Sequence, residues 1–324
     1  MFINILLFVL GLFLLYLGAS LLVGGSSRIA LMLKVSPIIV GLTIVAFGTS
    51  SPEFLVSFVA AFNGNIDVAI GNIIGSNIAN IGLVLGLSVI LMPIPKLGYS
   101  IKKELYWMTA VSVIFWIFAM NHEISHIEGV ILTLGIITFT TILIRQSLRE
   151  RKNPLSEEVP PIETGWKIVD NLTVKSKIIV FGLATLSGII ILGYGSKITI
   201  DAATGIALEL GVSQIIIGLT MVAFGTSLPE LATGIISVIK KENEILIGNV
   251  IGSNLFNILG VAGPIGMVFS FSLSDHVIWF DFPIMLVFTI VLFIVLLWKN
   301  GIGRLLSAIL FAGYLGYIFW VVTH

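Results

Sequence analysis

The chain contains no cysteine in 324 residues. That excludes a disulfide framework, thiol chemistry and a thiolate-held iron–sulfur cluster, and it leaves the redox compartment unread. Charge is also scarce: 10% of residues are charged and 57% hydrophobic, against about 25% charged in a soluble domain. With a mean hydropathy of +1.12, the chain cannot cover a water-facing surface. The 17 basic residues are balanced by 17 acidic ones, so there is no cationic footprint for nucleic acid. These absences leave one class, an all-α integral membrane domain. Its first residues, MFINILLFVLGLFLLYLG, lack the basic start of a secretory signal and read as a retained first span.

What the chain does have is an internal duplication. GLTIVAFGTSSPE, from Gly41 to Glu53, returns as GLTMVAFGTSLPE, from Gly218 to Glu230, with 11 of 13 positions identical. At the same offset of 177 residues, GNIIGSNIANIG from Gly71 returns as GNVIGSNLFNIL from Gly248. Repeats dictate architecture, and each copy here carries one carboxylate inside an otherwise uncharged apolar stretch.

A span needs about 20 mostly apolar residues. Ten are expected, near residues 3–24, 36–60, 69–92, 104–120, 127–146, 178–196, 213–238, 245–270, 278–298 and 302–321, with the second, third, seventh and eighth glycine-rich and broken. With the loop after the fifth span inside, only Lys197 of the 17 basic residues falls outside. This follows the positive-inside rule and places both termini outside. Residues 1–148 and 178–324 then form two five-helix repeats joined by a charged, proline-bearing cytoplasmic linker, 149–177. Five spans per copy make the repeats inverted, a layout that puts a transport site where they meet.

The duplicated motif offers a hard cation what it needs. Pro52 and Pro229 each remove a backbone hydrogen bond to the carbonyl four residues earlier, which frees the carbonyls of Gly48 and Gly225. Thr49, Ser50 and Glu53 lie at helical spacings of three and four, as do Thr226, Ser227 and Glu230. All of these ligands are oxygens, and Ca²⁺ takes about 6–8 of them. An acid at the centre of a span costs on the order of 2.5–3.5 kcal/mol. Glu53 and Glu230 are the only two acids the span map places deep; Asp67, Glu104, Glu209 and Asp281 fall at span ends or in loops. In the second motif, Ser76 and Asn80, and Ser253 and Asn257, lie one turn apart and are expected to line a pocket. Asn72, Asn77, Asn249 and Asn254 read equally well as interhelical glue.

These motifs resemble the sodium/calcium exchanger family of calcium:cation antiporters, whose two alpha-repeats carry GTSxPE followed by a GNxxGSNxxN-type segment. The resemblance implies that Glu53 and Glu230, with Thr49 and Thr226 through their carbonyls, bind Ca²⁺. It implies that Ala46, Ser50, Ser76, Ala223, Ser227 and Ser253 help bind Na⁺, and that Asn80 and Asn257 flank the central position. Some relatives, including potassium-dependent ones, have aspartate where this chain has Asn257. The resemblance further implies alternating access with three Na⁺ exchanged per Ca²⁺ in the cell membrane. The two ions are then transported substrates; no cofactor and no obligatory protein partner is expected. A Ca²⁺/H⁺ antiporter of the same superfamily is the alternative. His122-Glu123-Ile124-Ser125-His126 spells HExxH, the zinc-protease pattern, which requires both histidines on one helix. Here it falls in a short outer turn.

Overall fold

The computed structural model describes residues 1–97, 101–152, 173–210, 225–299 and 301–323, with backbone alone for 149–152. Ala223, most of the second GLTMVAFGTSLPE stretch and most of the linker lie outside the described residues. Backbone polar groups in hydrocarbon must be satisfied within their own segment, and the apolar runs accordingly fold as helices. In chain order these are α1 (Phe2–Leu33), α2 (Pro37–Thr49), α3 (Ser51–Phe62), α4 (Ile66–Leu91), α5 (Lys102–Ala119), α6 (His126–Lys152), α7 (Val174–Glu209), α8 (Leu228–Ile239), α9 (Asn243–Phe269), α10 (Val277–Lys299) and α11 (Arg304–Thr323). Two short strands, β1 (Glu123–Ile124) and β2 (Phe271–Ser272), pair antiparallel before α6 and after α9.

Among the described residues seven helices are long and apolar enough to cross a membrane, and an eighth span arises if the bent pair α2–α3 counts as one. The expected fourth span, α5, is 18 residues long and opens with Lys102, Lys103 and Glu104. The seventh begins among residues outside those described. The centre is α4 and α9, whose spanning windows are 89% and 94% buried, whereas the other five spanning helices bury between 17% and 39%. Neither central helix is broken, contrary to the reading of their glycines as breaks. Each runs through, relieved by a π-helical turn at matching places, Asn80–Leu85 and Phe256–Ala262. Such turns recur at functional sites because they re-aim side chains within a continuous helix.

The first and sixth spans are much longer than the expected 3–24 and 178–196. α1 has 32 residues and α7 has 36, about 48 and 54 Å at 1.5 Å per residue. A core of about 30 Å leaves them tilted or protruding. The hydroxyls beyond the apolar run do not end α1, because Ser26 donates back to the Leu22 carbonyl at 2.6 Å. Glycines set the contact between the two rods: a Cβ on Gly18 would stand 2.8 Å from the Leu192 nitrogen, and one on Gly188 2.5 Å from the Leu22 nitrogen. At one end the terminal amine of Met1 pairs with Glu209, which also accepts from Asn4 at 2.9 Å. At the other end Ser27 donates to Glu242, and Lys240 donates to the Ser20 carbonyl at 2.7 Å.

Candidate cation site

The site begins with a break. α2 and α3 meet at 45°, hinged on Ser50 (φ −86°, ψ 7°). Ser227 adopts the same backbone (φ −85°, ψ 2°) at the matching position ahead of α8. Pro52 and Pro229 stand in the first turn of the helix that follows, where a missing N–H costs nothing. Glu53 and Glu230 lie in the same first turns, each 1% exposed. The amide ends of these helices favour negative charge there.

Hydrogen bonds cross between the two copies in matched pairs. Thr49 donates to Asn249 Oδ1 at 3.1 Å, and its counterpart Thr226 donates to Asn72 Oδ1 at 3.0 Å. Asn80 donates to Asn254 Oδ1 at 3.0 Å, and Asn257 to Asn77 Oδ1 at 3.5 Å. Behind them Asn77 and Asn254 reach the sulfurs of Met285 and Met108, themselves 177 positions apart. The asparagines left open as glue are therefore the glue, and they bind one copy to the other.

Seven oxygens in this region are buried with no hydrogen-bond partner: Glu53 Oε2, Ser76 Oγ, Asn80 Oδ1, Ser227 Oγ, Glu230 Oε2, Ser253 Oγ and Asn257 Oδ1. Buried polar atoms are ordinarily satisfied, so a group of seven, all capable of accepting, calls for a positive occupant. The two carboxylates also feel each other's charge, and among the described residues neither forms an ion pair. No third His, Cys, Asp or Glu joins them among the described residues. Any cation there is completed by neutral oxygens, the donor set of a hard ion.

Several expectations change on this geometry. Thr49, Ser50 and Glu53 do not share one helical face, because the chain breaks at Ser50; that residue instead donates across to Glu230 Oε1 at 2.9 Å. The carbonyl of Gly225 is engaged by Ser196 Oγ at 2.9 Å, so it is not simply left over for an ion. Ala46 is buried beside the break, where its carbonyl accepts from the Ser50 nitrogen at 2.9 Å. Ala223 lies outside the described residues. Glu104 is a third buried carboxylate, 2% exposed in the first turn of α5; a span map that sees only depth could not find it. The HExxH pattern does not form a zinc site. His122 sits in a turn with φ 66°, Glu123 is in β1, and His126 opens α6 with its ring nitrogen 3.0 Å from the Met267 carbonyl.

Residues 3–145 and 180–323 match the family model described as sodium/calcium exchanger protein. The chain is 39% identical over 258 residues to the putative antiporter CaxA of Alkalimonas amylolytica, covering 78% of this chain and 77% of that one. It is 30% identical to the sodium/calcium exchanger MaX1 of Methanosarcina acetivorans, over 90% and 91% of the two chains. Among solved structures, the sodium-calcium exchanger NCX_Mj superposes with a TM-score of 0.82 at 30% identity, over 98% of both chains.

Proposed function

The chain belongs to the sodium/calcium exchanger family and is a multi-pass membrane cation antiporter; from that premise we propose that it exchanges Na⁺ for Ca²⁺ around the paired glutamates. The observation that carries the reading is the set of seven buried oxygens without partners. Glu53 and Glu230 would hold Ca²⁺ with the backbone carbonyls of Thr49 and Thr226, whose hydroxyls donate to Asn249 and Asn72. Ser50, Ser76, Ser227 and Ser253, with the carbonyls of Ala46 and Ala223, would take Na⁺, and Asn80 and Asn257 flank the centre. One Ca²⁺ neutralises two carboxylates, whereas three Na⁺ leave one positive charge. Each net charge moved is worth about 2.3 kcal/mol per 100 mV.

In this reading the chain forms ten spans in two inverted repeats, 1–148 and 178–324, around the linker 149–177. Both termini face out of the cell membrane. The rods α1 and α7 move as a pair across the broken helices, since their mutual contact is backbone on glycine and survives translation as a unit.

Reconstituted vesicles test the coupling. An outward Na⁺ gradient is expected to drive Ca²⁺ uptake, which an inside-positive potential accelerates and an inside-negative one opposes, the sign for three Na⁺ leaving as one Ca²⁺ enters. Uptake driven by a pH gradient and indifferent to Na⁺ would instead establish the proton-coupled alternative.

A further inference from the structure

The two copies differ along one helix face. Glu230, Thr233 and Ser237 lie at spacings of three and four on α8 and so share a side. Opposite them on α4 stands Ser88, for a Cβ on Gly234 would meet its Oγ at 2.8 Å. Ser88, Thr233 and Ser237 are each 0% exposed, and none of their hydroxyls has a partner. Outside the cation site many hydroxyls in the spans are satisfied within their own helix, Thr109 of α5 being an exception. Ser26, Ser112, Thr185, Thr199 and Thr289 all donate to the carbonyl four residues back, at 2.6–2.9 Å. The other side of α8, with Leu231, Ile235 and Ile236, faces Leu12 and Leu15 of α1 and is apolar.

At an offset of 177 the first copy has Val56, Ala60 and Ser57 where the second has Thr233, Ser237 and Gly234. Ser57 matters because Asn72 donates its amide to it at 2.8 Å. Gly234 offers no such group, and Asn249 Nδ2 is left without a partner. The second copy thus carries an amide and two hydroxyls from Glu230 toward the end of α8, faced by the Ser88 hydroxyl of α4, in a place where the first copy is apolar or satisfied. Lys241 follows Ser237 by four residues, about 6 Å along the axis. Beside it a polar cavity of about 340 Å³ is lined by Lys96, Lys241, Glu242, Asn243 and Glu244.

We propose that the Thr233–Ser237 face of α8, with Ser88 and Asn249, is a hydrated path along which Na⁺ and Ca²⁺ pass between Glu230 and the cytoplasmic mouth. The proposal rests on the antiporter reading and orientation given above. Neutral hydroxyls suit a passage: they share a cation's hydration shell without a carboxylate's grip. The route runs along the α4 side of α8, away from the contact with α1, and the first copy has no equivalent because Val56 and Ala60 keep it dry.

The natural absence of cysteine permits a direct test with a cationic, membrane-impermeant methanethiosulfonate reagent. Thr233→Cys and Ser237→Cys are expected to react from the cytoplasmic side and lose transport, while Val56→Cys and Ala60→Cys resist from either side. The triple variant S88A/T233V/S237A should slow transport about tenfold, about 1.4 kcal/mol on the barrier, with Ca²⁺ affinity kept, and restoring Ser237 alone should recover part of the rate. If Lys241→Cys reacts from the cytoplasm but Thr233→Cys and Ser237→Cys react from neither side, the hydroxyls are structural and the path is refuted. Labelling does not depend on which ion is coupled, so the proposal can fail while the exchange reading stands, and the reverse.

Discussion

Glu230→Gln is expected to abolish Ca²⁺ transport while leaving the protein folded. The glutamine keeps the shape of the side chain, and its carbonyl oxygen can still accept the hydroxyl of Ser50, which donates to Glu230 at 2.9 Å. What it removes is one of two buried charges that no ion pair neutralises among the described residues. Removing one member of a buried charge pairing costs about 2–5 kcal/mol, which corresponds to about 30-fold to 4,000-fold in Ca²⁺ affinity. Glu53→Gln should match it, because the two glutamates occupy equivalent first turns with equal burial. Isotope uptake into vesicles reads the transport. Thermal unfolding provides the second readout: Ca²⁺ should raise the midpoint of the native protein by mass action and no longer raise that of either variant. Native uptake by either variant would remove that glutamate from the site.

Gly248→Ala should damage both fold and transport. On α9 a Cβ at Gly248 would lie 2.5 Å from the Ile38 carbonyl oxygen and 3.0 Å from the Cα of Gly41. All of these are backbone atoms of α2, so no side chain can swing aside. α2 and α9 must separate, and Asn249, the next residue, then loses its bond to Thr49. Overpacking costs about 1–3 kcal/mol, and the strained cross-copy bond adds to it. A lowered unfolding temperature with slowed Ca²⁺ uptake is the expected outcome. Gly303→Ala, which meets nothing within 4 Å, serves as the neutral comparison. Equal stability of the two variants would mean that the helices do not touch as described.

The helix breaks and the two buried acids were readable because they are local and duplicated: Pro52 stands beside Glu53 and Pro229 beside Glu230 in the same few residues. The span lengths of α1 and α7 were not readable. Hydropathy reports where apolar residues stop, whereas α1 runs on through Ser26, whose hydroxyl is satisfied by the Leu22 carbonyl. Glycines in α9 were misread as breaks because a glycine that lets two backbones touch, as Gly248 does against Ile38 and Gly41 of α2, looks in sequence like one that ends a helix. The use of the Gly225 carbonyl by Ser196, and the threonine–asparagine exchange between copies, depend on residues about 30 to 200 positions apart. No spacing rule reaches so far. The asymmetry between Ser57 and Gly234 was visible as letters but acquired meaning only once Asn72 was seen bonded to one and Asn249 left without the other.

The sharpest test is an anomalous-scattering map from crystals soaked in Ca²⁺. A single peak within about 2.3–2.6 Å of carboxylate oxygens from both Glu53 and Glu230 is the predicted result. A peak touching neither glutamate, for instance at the exposed pair His122 and Asp275, with the two carboxylates bound only to protein groups, would contradict it.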